Sequence, residues 1–229
     1  MSTESAVIAI DGPAAAGKST VARELARELG FNYVNTGAMY RAVAVAVREA
    51  GMESYGGGDF LERLKALLAA ADIGVAAGRV TLNGRDLGES LNARGIDDLA
   101  SRLSALAPVR EKMRAMQRRI AVDGAVVMEG RDVGTVIFPE ARFKFFLDAQ
   151  PEVRAQRRFA QLAAAGAKTT LGEVLQQLVE RDQRDSSREI APLKPAPDAI
   201  VIDSSALSVK AVVGRMKAFV AEGKKDRGS

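Results

Sequence analysis

The segment Gly12-Pro13-Ala14-Ala15-Ala16-Gly17-Lys18-Ser19-Thr20 follows directly on the apolar run Ala6-Val7-Ile8-Ala9-Ile10, a succession that predicts a strand, a phosphate-binding loop and then a helix. The spacing G-x-x-x-x-G-K-S fits what a triphosphate needs, many donors converging on oxygens of high charge density. Gly12 and Gly17 allow the backbone to curl with its amides inward, and a helix starting near Lys18 aims its positive end at the same point. Lys18 adds an ammonium and Ser19 a hydroxyl able to ligate Mg²⁺. Gly12 to Thr20 are therefore the expected nucleotide contacts.

Composition removes whole classes of chemistry. The 229 residues include no Cys and no His, which excludes disulfides, thiolate or imidazole metal sites, cysteine nucleophiles and Ser-His-Asp hydrolysis. With 47% hydrophobic residues the chain can bury one α/β domain carrying an insertion. No run approaches the ~20 apolar residues of a membrane span, and Met1–Ser5 lacks the form of a signal peptide, so a cytoplasmic location with no membrane partner is expected. The net charge of +4 and the 5% of aromatic residues suit a basic pocket for small phosphates better than a nucleic-acid surface.

Apolar segments at Val7–Ile10, Phe31–Val34, Ala125–Met128, Phe143–Leu147 and Ala199–Ile202 alternate with helical patterns at Lys18–Leu29, Gly37–Ala50, Leu61–Ala71, Val109–Val122, Pro151–Ala165, Leu171–Arg184 and Ser208–Ala221. This alternation predicts an α/β chain with a parallel central sheet covered by helices in three layers. Within Ile73–Leu87, the turn Asn83-Gly84 predicts a small antiparallel hairpin. Gly56-Gly57-Gly58 reads as a joint, residues 59–108 as an insertion, residues 1–58 and 109–229 as the core, and Glu222–Ser229 as a disordered tail.

A second group of residues suits a phosphoryl acceptor. Thr36 and Arg41 flank a helix start, so a hydroxyl, helix amides and a guanidinium can converge on an anion. Arg131 and Asp132 follow the strand Val126-Val127-Met128, at the sheet edge where open α/β folds bind ligands. Arg181, Asp185 and Arg188 fall on one helix face if that helix persists. Arg154, Arg157 and Arg158 form a similar patch on the preceding helix, and the two helices joined near Gly166 suggest a lid over residues 152–190 that excludes water.

Together these residues resemble the bacterial cytidylate kinases, nucleoside monophosphate kinases of the P-loop class. The likeness is carried by Ile10-Asp11-Gly12-Pro13 with the loop, Asn35-Thr36-Gly37-Ala38-Met39-Tyr40-Arg41, Pro108-Val109-Arg110, Gly130-Arg131-Asp132-Val133-Gly134-Thr135-Val136 and Phe138-Pro139. It continues in Arg181-Asp182, Asp185-Ser186-Ser187-Arg188, Ala191-Pro192-Leu193 and Asp198-Ala199, while Glu89–Gly95 departs from the family pattern. The resemblance implies a P-loop kinase core with a monophosphate-binding insertion, ATP as donor, and CMP and dCMP as acceptors. It implies that Thr36, Arg41 and Arg131 hold the acceptor phosphate, that Ser101, Arg110, Asp132 and Arg188 approach the cytosine, and that Arg181 and Asp185 sit at the sugar.

Transfer would need positioning and cations rather than a base, because the attacking phosphate oxygen is already ionised. Lys18, Arg131, Arg158 and Arg188 are the expected catalytic cations, with Arg157 on the ATP side and Mg²⁺ held through Ser19. A monomer is expected, as for kinases that open and close around two nucleotides. Other readings share the loop: a shikimate-kinase-like or dephospho-coenzyme-A-kinase-like enzyme, a nucleotide switch using Asp148 as a metal-binding strand end, or an RNA-binding module.

Overall fold

The computed structural model describes residues 7–52, 58–76, 78–122 and 124–225. The chain divides into two compact units, one formed by the described residues up to Tyr33 and from Gly124 onward, the other by Val34 to Val122. The first is built on β1 (Val7–Asp11), β6 (Val126–Gly130), β7 (Phe143–Asp148) and β8 (Ile200–Asp203), and a five-stranded sheet has the order β2-β6-β1-β7-β8, with β2 at Asn32–Asn35. The pairs β1–β6, β1–β7 and β7–β8 are all parallel, so their carboxyl ends lie at one edge. Every residue of β1 and β6 is buried, which is why these strands read as continuous apolar runs.

Alternate residues Ile8 and Ile10, with Phe143, Phe145 and Leu147, pack on Val21, Ala22 and Leu25 of α1 (Lys18–Leu29) and on Val212, Val213 and Met216 of α8 (Val209–Lys225). Gly30 closes α1 in the left-handed region, its N–H donating to Ala26 and Arg27 carbonyls. Pro151 opens α6 (Pro151–Ala164) as the sequence predicts, and Ser208 accepts the Ala211 N–H at 3.2 Å to cap α8. The tail expectation is corrected here: Glu222–Lys225 continue α8, while Asp226–Ser229 lie outside the described residues. In α7 (Leu171–Ser187) a reciprocal Thr170–Glu173 capping box fixes the start, and the helix runs one turn beyond the expected Arg184, keeping Asp185 helical and leaving Arg188 as its C-cap.

The second unit holds α2 (Thr36–Glu49), α3 (Phe60–Ala70), a three-stranded antiparallel sheet of β3 (Ile73–Ala76), β4 (Arg79–Leu82) and β5 (Arg85–Asp86), then α4 (Ile96–Leu103) and α5 (Ala107–Val122). The Asn83-Gly84 turn forms with both φ angles positive, at 51° and 78°. The expected single hairpin thus gains a third strand. Helix α4 gave no legible signal, being only two turns long. The unit is wider than the expected insertion 59–108, because α2 packs on α4, β4 and α3 and joins their core. Gly56 and Gly57, part of the expected joint, lie outside the described residues.

Candidate active site

In the first unit the loop after β1 has the geometry of an anion cradle. Gly12, Ala15 and Gly17 carry φ angles of 147°, 60° and 93°, so the backbone turns repeatedly through the left-handed half of conformational space. A Cβ on Gly12 would lie 2.0 Å from the Leu147 carbonyl oxygen of β7, so no other residue fits between the strands. The strain at Ala15 was not legible from the motif, which placed flexibility only at the glycines.

Carbonyls of the loop are held from outside. Arg157 Nη1 donates to Ala16 O at 3.4 Å and Ser204 Oγ donates to the same oxygen at 3.0 Å. Arg157 is itself fixed to Ser204, through Oγ at 3.1 Å and the carbonyl at 2.7 Å. Arg154, buried, donates to Ala14 O at 3.2 Å, to Ala149 O at 2.9 Å and to Asp182 Oδ2 at 2.5 Å. Ala14 and Ala15 also pack on Ala155 and Phe159 of α6 and Val174 and Leu178 of α7. The expected lid helices therefore brace the loop, and Arg154 serves structure. Pro13 lies at the buried start of the loop, Ser19 is half-buried and Thr20 exposed on the first turn of α1.

Lys18 is 5% exposed and donates to Pro13 O at 2.6 Å. Burial, reinforced by the Arg131 guanidinium, pushes its pKa well below the ordinary lysine range, while Glu129 and Asp11 oppose that shift. Glu129, buried in β6, accepts a 2.6 Å hydrogen bond from Tyr33. The donor cradle and Arg131 thus share one electrostatic neighbourhood.

Past the end of β6, Arg131 Nε donates to Asp185 Oδ2 at 3.1 Å and Nη1 to Gly130 O at 3.2 Å. Arg181 and Arg188 each lie 4.0 Å from the same Asp185 carboxylate, and Arg188 also lies 3.9 Å from Asp132. Burial works to raise the Asp185 pKa, but Arg131, Arg181 and Arg188 together prevail and hold it below the usual carboxylate range. Arg188 Nε donates to Ala191 O at 2.5 Å, which fixes the C-cap side chain toward the cluster. Of the expected site residues this unit gathers Arg131, Asp132, Arg181, Asp185 and Arg188. Arg158 is half-buried on α6.

The second unit places the others. Asn35 caps α2 by accepting the Ala38 N–H at 2.9 Å, with Thr36 buried at the first turn. Arg41 pairs with Asp97 of α4 at 3.3 Å. Ser101 is buried on α4, its carbonyl accepting from Ser104 Oγ at 2.7 Å, and buried Arg110 donates to Ser104 O at 3.1 Å.

Among the described residues no group of three or more acidic side chains could hold a metal alone. Asp148, the metal ligand of the nucleotide-switch reading, accepts the Ala149 N–H at 2.8 Å through Oδ1. No helix among the described residues is long and apolar enough to cross a membrane.

A phosphate cradle opening a helix at the edge of a parallel sheet, with a guanidinium-carboxylate cluster at the end of the neighbouring strand, defines a P-loop phosphotransferase. The cytidylate kinase family model matches residues 8–222. The cytidylate kinase of Citrifermentans bemidjiense is 42% identical over 94% of this chain and 93% of its own length. That of Thermotoga maritima is 44% identical over 94% and 96%. The chain belongs to the cytidylate kinase family and is a nucleoside monophosphate kinase. The fold is shared with an uncharacterized crystallised protein from Eubacterium ventriosum, at a TM-score of 0.52 and 13% identity over 94% of this chain and 98% of that one.

Proposed function

We propose that the protein transfers the γ-phosphoryl group of ATP to CMP and dCMP, releasing ADP, as a monomer of the cytoplasm acting in pyrimidine nucleotide metabolism. The observation that carries this reading is the cluster of Arg131, Asp132, Asp185 and Arg188, whose Arg131 guanidinium acts electrostatically on Lys18. Thr36, Arg41 and Arg131 take the acceptor phosphate. Asp132 accepts from the exocyclic amine of cytosine, Ser101, Arg110 and Arg188 complete the base contacts, and Arg181 with Asp185 meets the sugar.

An ionised phosphate oxygen of CMP attacks the γ-phosphorus in line. As that bond forms, the bond from the γ-phosphorus to the bridging oxygen breaks, and ADP leaves with the electron pair. No proton need move, which agrees with a chain without His. The loop amides and Lys18 bind the donor phosphates, while Arg131, Arg158 and Arg188 neutralise charge on the equatorial oxygens. Arg157 steadies the ATP side through Ala16. Mg²⁺ bound through Ser19 would supply further charge neutralisation on the phosphates. Helices α6 and α7 act as the lid that keeps water from the γ-phosphoryl group.

An assay of ADP release with CMP, dCMP, UMP, AMP and shikimate tests the assignment. CMP and dCMP should give the highest kcat/KM. A preference for shikimate or AMP refutes it. Asp132→Ala should lower kcat/KM for CMP about tenfold to a hundredfold, as expected for a hydrogen bond to a charged group worth ~1.5–3 kcal/mol, and should hurt UMP less. Equal losses on both substrates would remove Asp132 from base recognition.

A further inference from the structure

A helical turn leaves its first amide hydrogens unsatisfied, and the residue at its start ordinarily folds its own side chain back to accept one. The wide turn Val133–Ile137 starts at Asp132, a residue type favoured for that task, yet Asp132 makes no side-chain capping bond. Asp11, at the end of β1, takes both amides: Val133 N–H donates to its Oδ1 at 2.9 Å and Gly134 N–H to its Oδ2 at 2.7 Å. The Asp132 carboxylate is instead directed to Arg188, 3.9 Å away. The Asp11 contact is tightly built. Asp11 is 4% exposed, and a Cβ on Gly134 would stand 3.3 Å from the Lys144 side chain and 3.4 Å from Asp11 Oδ2.

We propose that Asp11 is a positioning residue for acceptor selectivity: by capping the Val133–Ile137 turn from a distant strand, it holds the Asp132 carboxylate on the Arg188 side, where the cytosine amine would meet it. The inference rests on the assignment of CMP as acceptor above. Without Asp11 the Val133 and Gly134 amides lose their acceptor, and Asp132, the residue at the start of the turn, is placed in sequence to supply one. Selectivity should fall before catalysis does.

The test is the ratio of kcat/KM for CMP to that for UMP, in Asp11→Asn, Asp132→Ala and the double variant. In D11N the ratio should drop at least fivefold, through KM for CMP, with KM for ATP within threefold of wild type. In the double variant the ratio should match that of D132A within twofold, since both changes remove one interaction. A wild-type ratio in D11N, equal losses on CMP and UMP, or additive effects in the double variant would overturn the proposal. Asp11→Glu, which keeps the charge but displaces the carboxylate from the two amides, should lower the ratio likewise and serves if D11N does not fold.

A third arm needs no variant. The charged groups facing Asp11 are Asp132 and Lys18, with Lys144 behind Gly134, and burial raises the Asp11 pKa to about 6. The wild-type ratio should therefore decline between pH 7.5 and pH 5.5, a range in which the phosphates of CMP and UMP ionise alike and cancel and the cytosine ring stays largely unprotonated. A flat ratio refutes the idea. A wild-type enzyme that does not turn over CMP overturns the acceptor assignment and this inference together, whereas CMP turnover with an unresponsive ratio overturns the inference alone.

Discussion

Gly12→Ala is the most demanding small substitution in the loop, and its cost can be worked from two distances. An alanine Cβ at this position would sit 2.0 Å from Leu147 O and 3.0 Å from Leu147 C, whereas carbon and oxygen ordinarily approach no closer than about 3.3 Å. The end of β1 must therefore part from β7 by roughly 1 Å or more, at a place where Asp11 is paired with Phe146. Overpacking of this kind costs ~1–3 kcal/mol, and a φ of 147° adds strain of ~1–3 kcal/mol for a residue with a side chain. A total of about 4 kcal/mol corresponds to a Tm lowered by roughly 8–16 °C in a chain of this size. Gly17→Ala provides the control: its φ of 93° brings strain, but the nearest atom to a new Cβ is Arg157 Nη1 at 3.9 Å. Thermal melts of both variants, with KM for ATP measured alongside, separate the two effects. G12A should melt well below G17A, and both should bind ATP more weakly. If G12A melts no lower than G17A, the close approach of Leu147 does not constrain the loop and the reasoning fails.

Lys18→Ala should cut kcat by three or more orders of magnitude while Tm holds or rises, since the change removes a cation that burial already disfavours; near-normal turnover would refute its role. Asp182→Ala leaves the buried Arg154 without its counter-charge and should cost roughly 2–4 kcal/mol, read as a lowered urea midpoint. Restoration of that midpoint by Asp182→Glu would tie the loss to charge. Asp11 makes an opposite contribution to pH dependence from that of Asp185. Its folded pKa of about 6 lies above the ordinary 3.8, so its contribution to stability is greatest below pH 3.8 and declines as pH rises through 6. Urea titrations from pH 4 to 7 should therefore show D11N gaining on wild type by up to roughly 3 kcal/mol, and a constant difference would contradict the buried charge.

Much of the local architecture was legible because its signals lie within a few residues of one another. The apolar run and glycine spacing around Gly12–Lys18 specify a strand, loop and helix, and α1 begins and ends where the sequence predicts, at Lys18 and Leu29. The turn at Asn83-Gly84 and the Pro151 helix start are equally local. The four-and-three spacing of Arg181, Asp185 and Arg188 places those residues together correctly. Where short-range signals are weak, the reading falls short: α4 spans only Ile96–Leu103, and the end of α8 carries charged residues that resemble a tail.

Sequence spacing determined which groups this kinase could bring to a phosphate: a loop of amides with Lys18 and Ser19, and a stock of arginines with acidic partners. The tertiary structure alone decided how they pair. Asp11 meets Val133 and Gly134 because parallel pairing of β1 with β6 brings their ends to one edge, and Arg131 finds Asp185 rather than the adjacent Asp132. Likewise Arg154 braces Ala14, where sequence alone made it one arginine of a mobile patch. Helical periodicity and turn chemistry act over three or four residues, but a carboxylate's partner across more than a hundred residues is set by strand order and register, which no local spacing records.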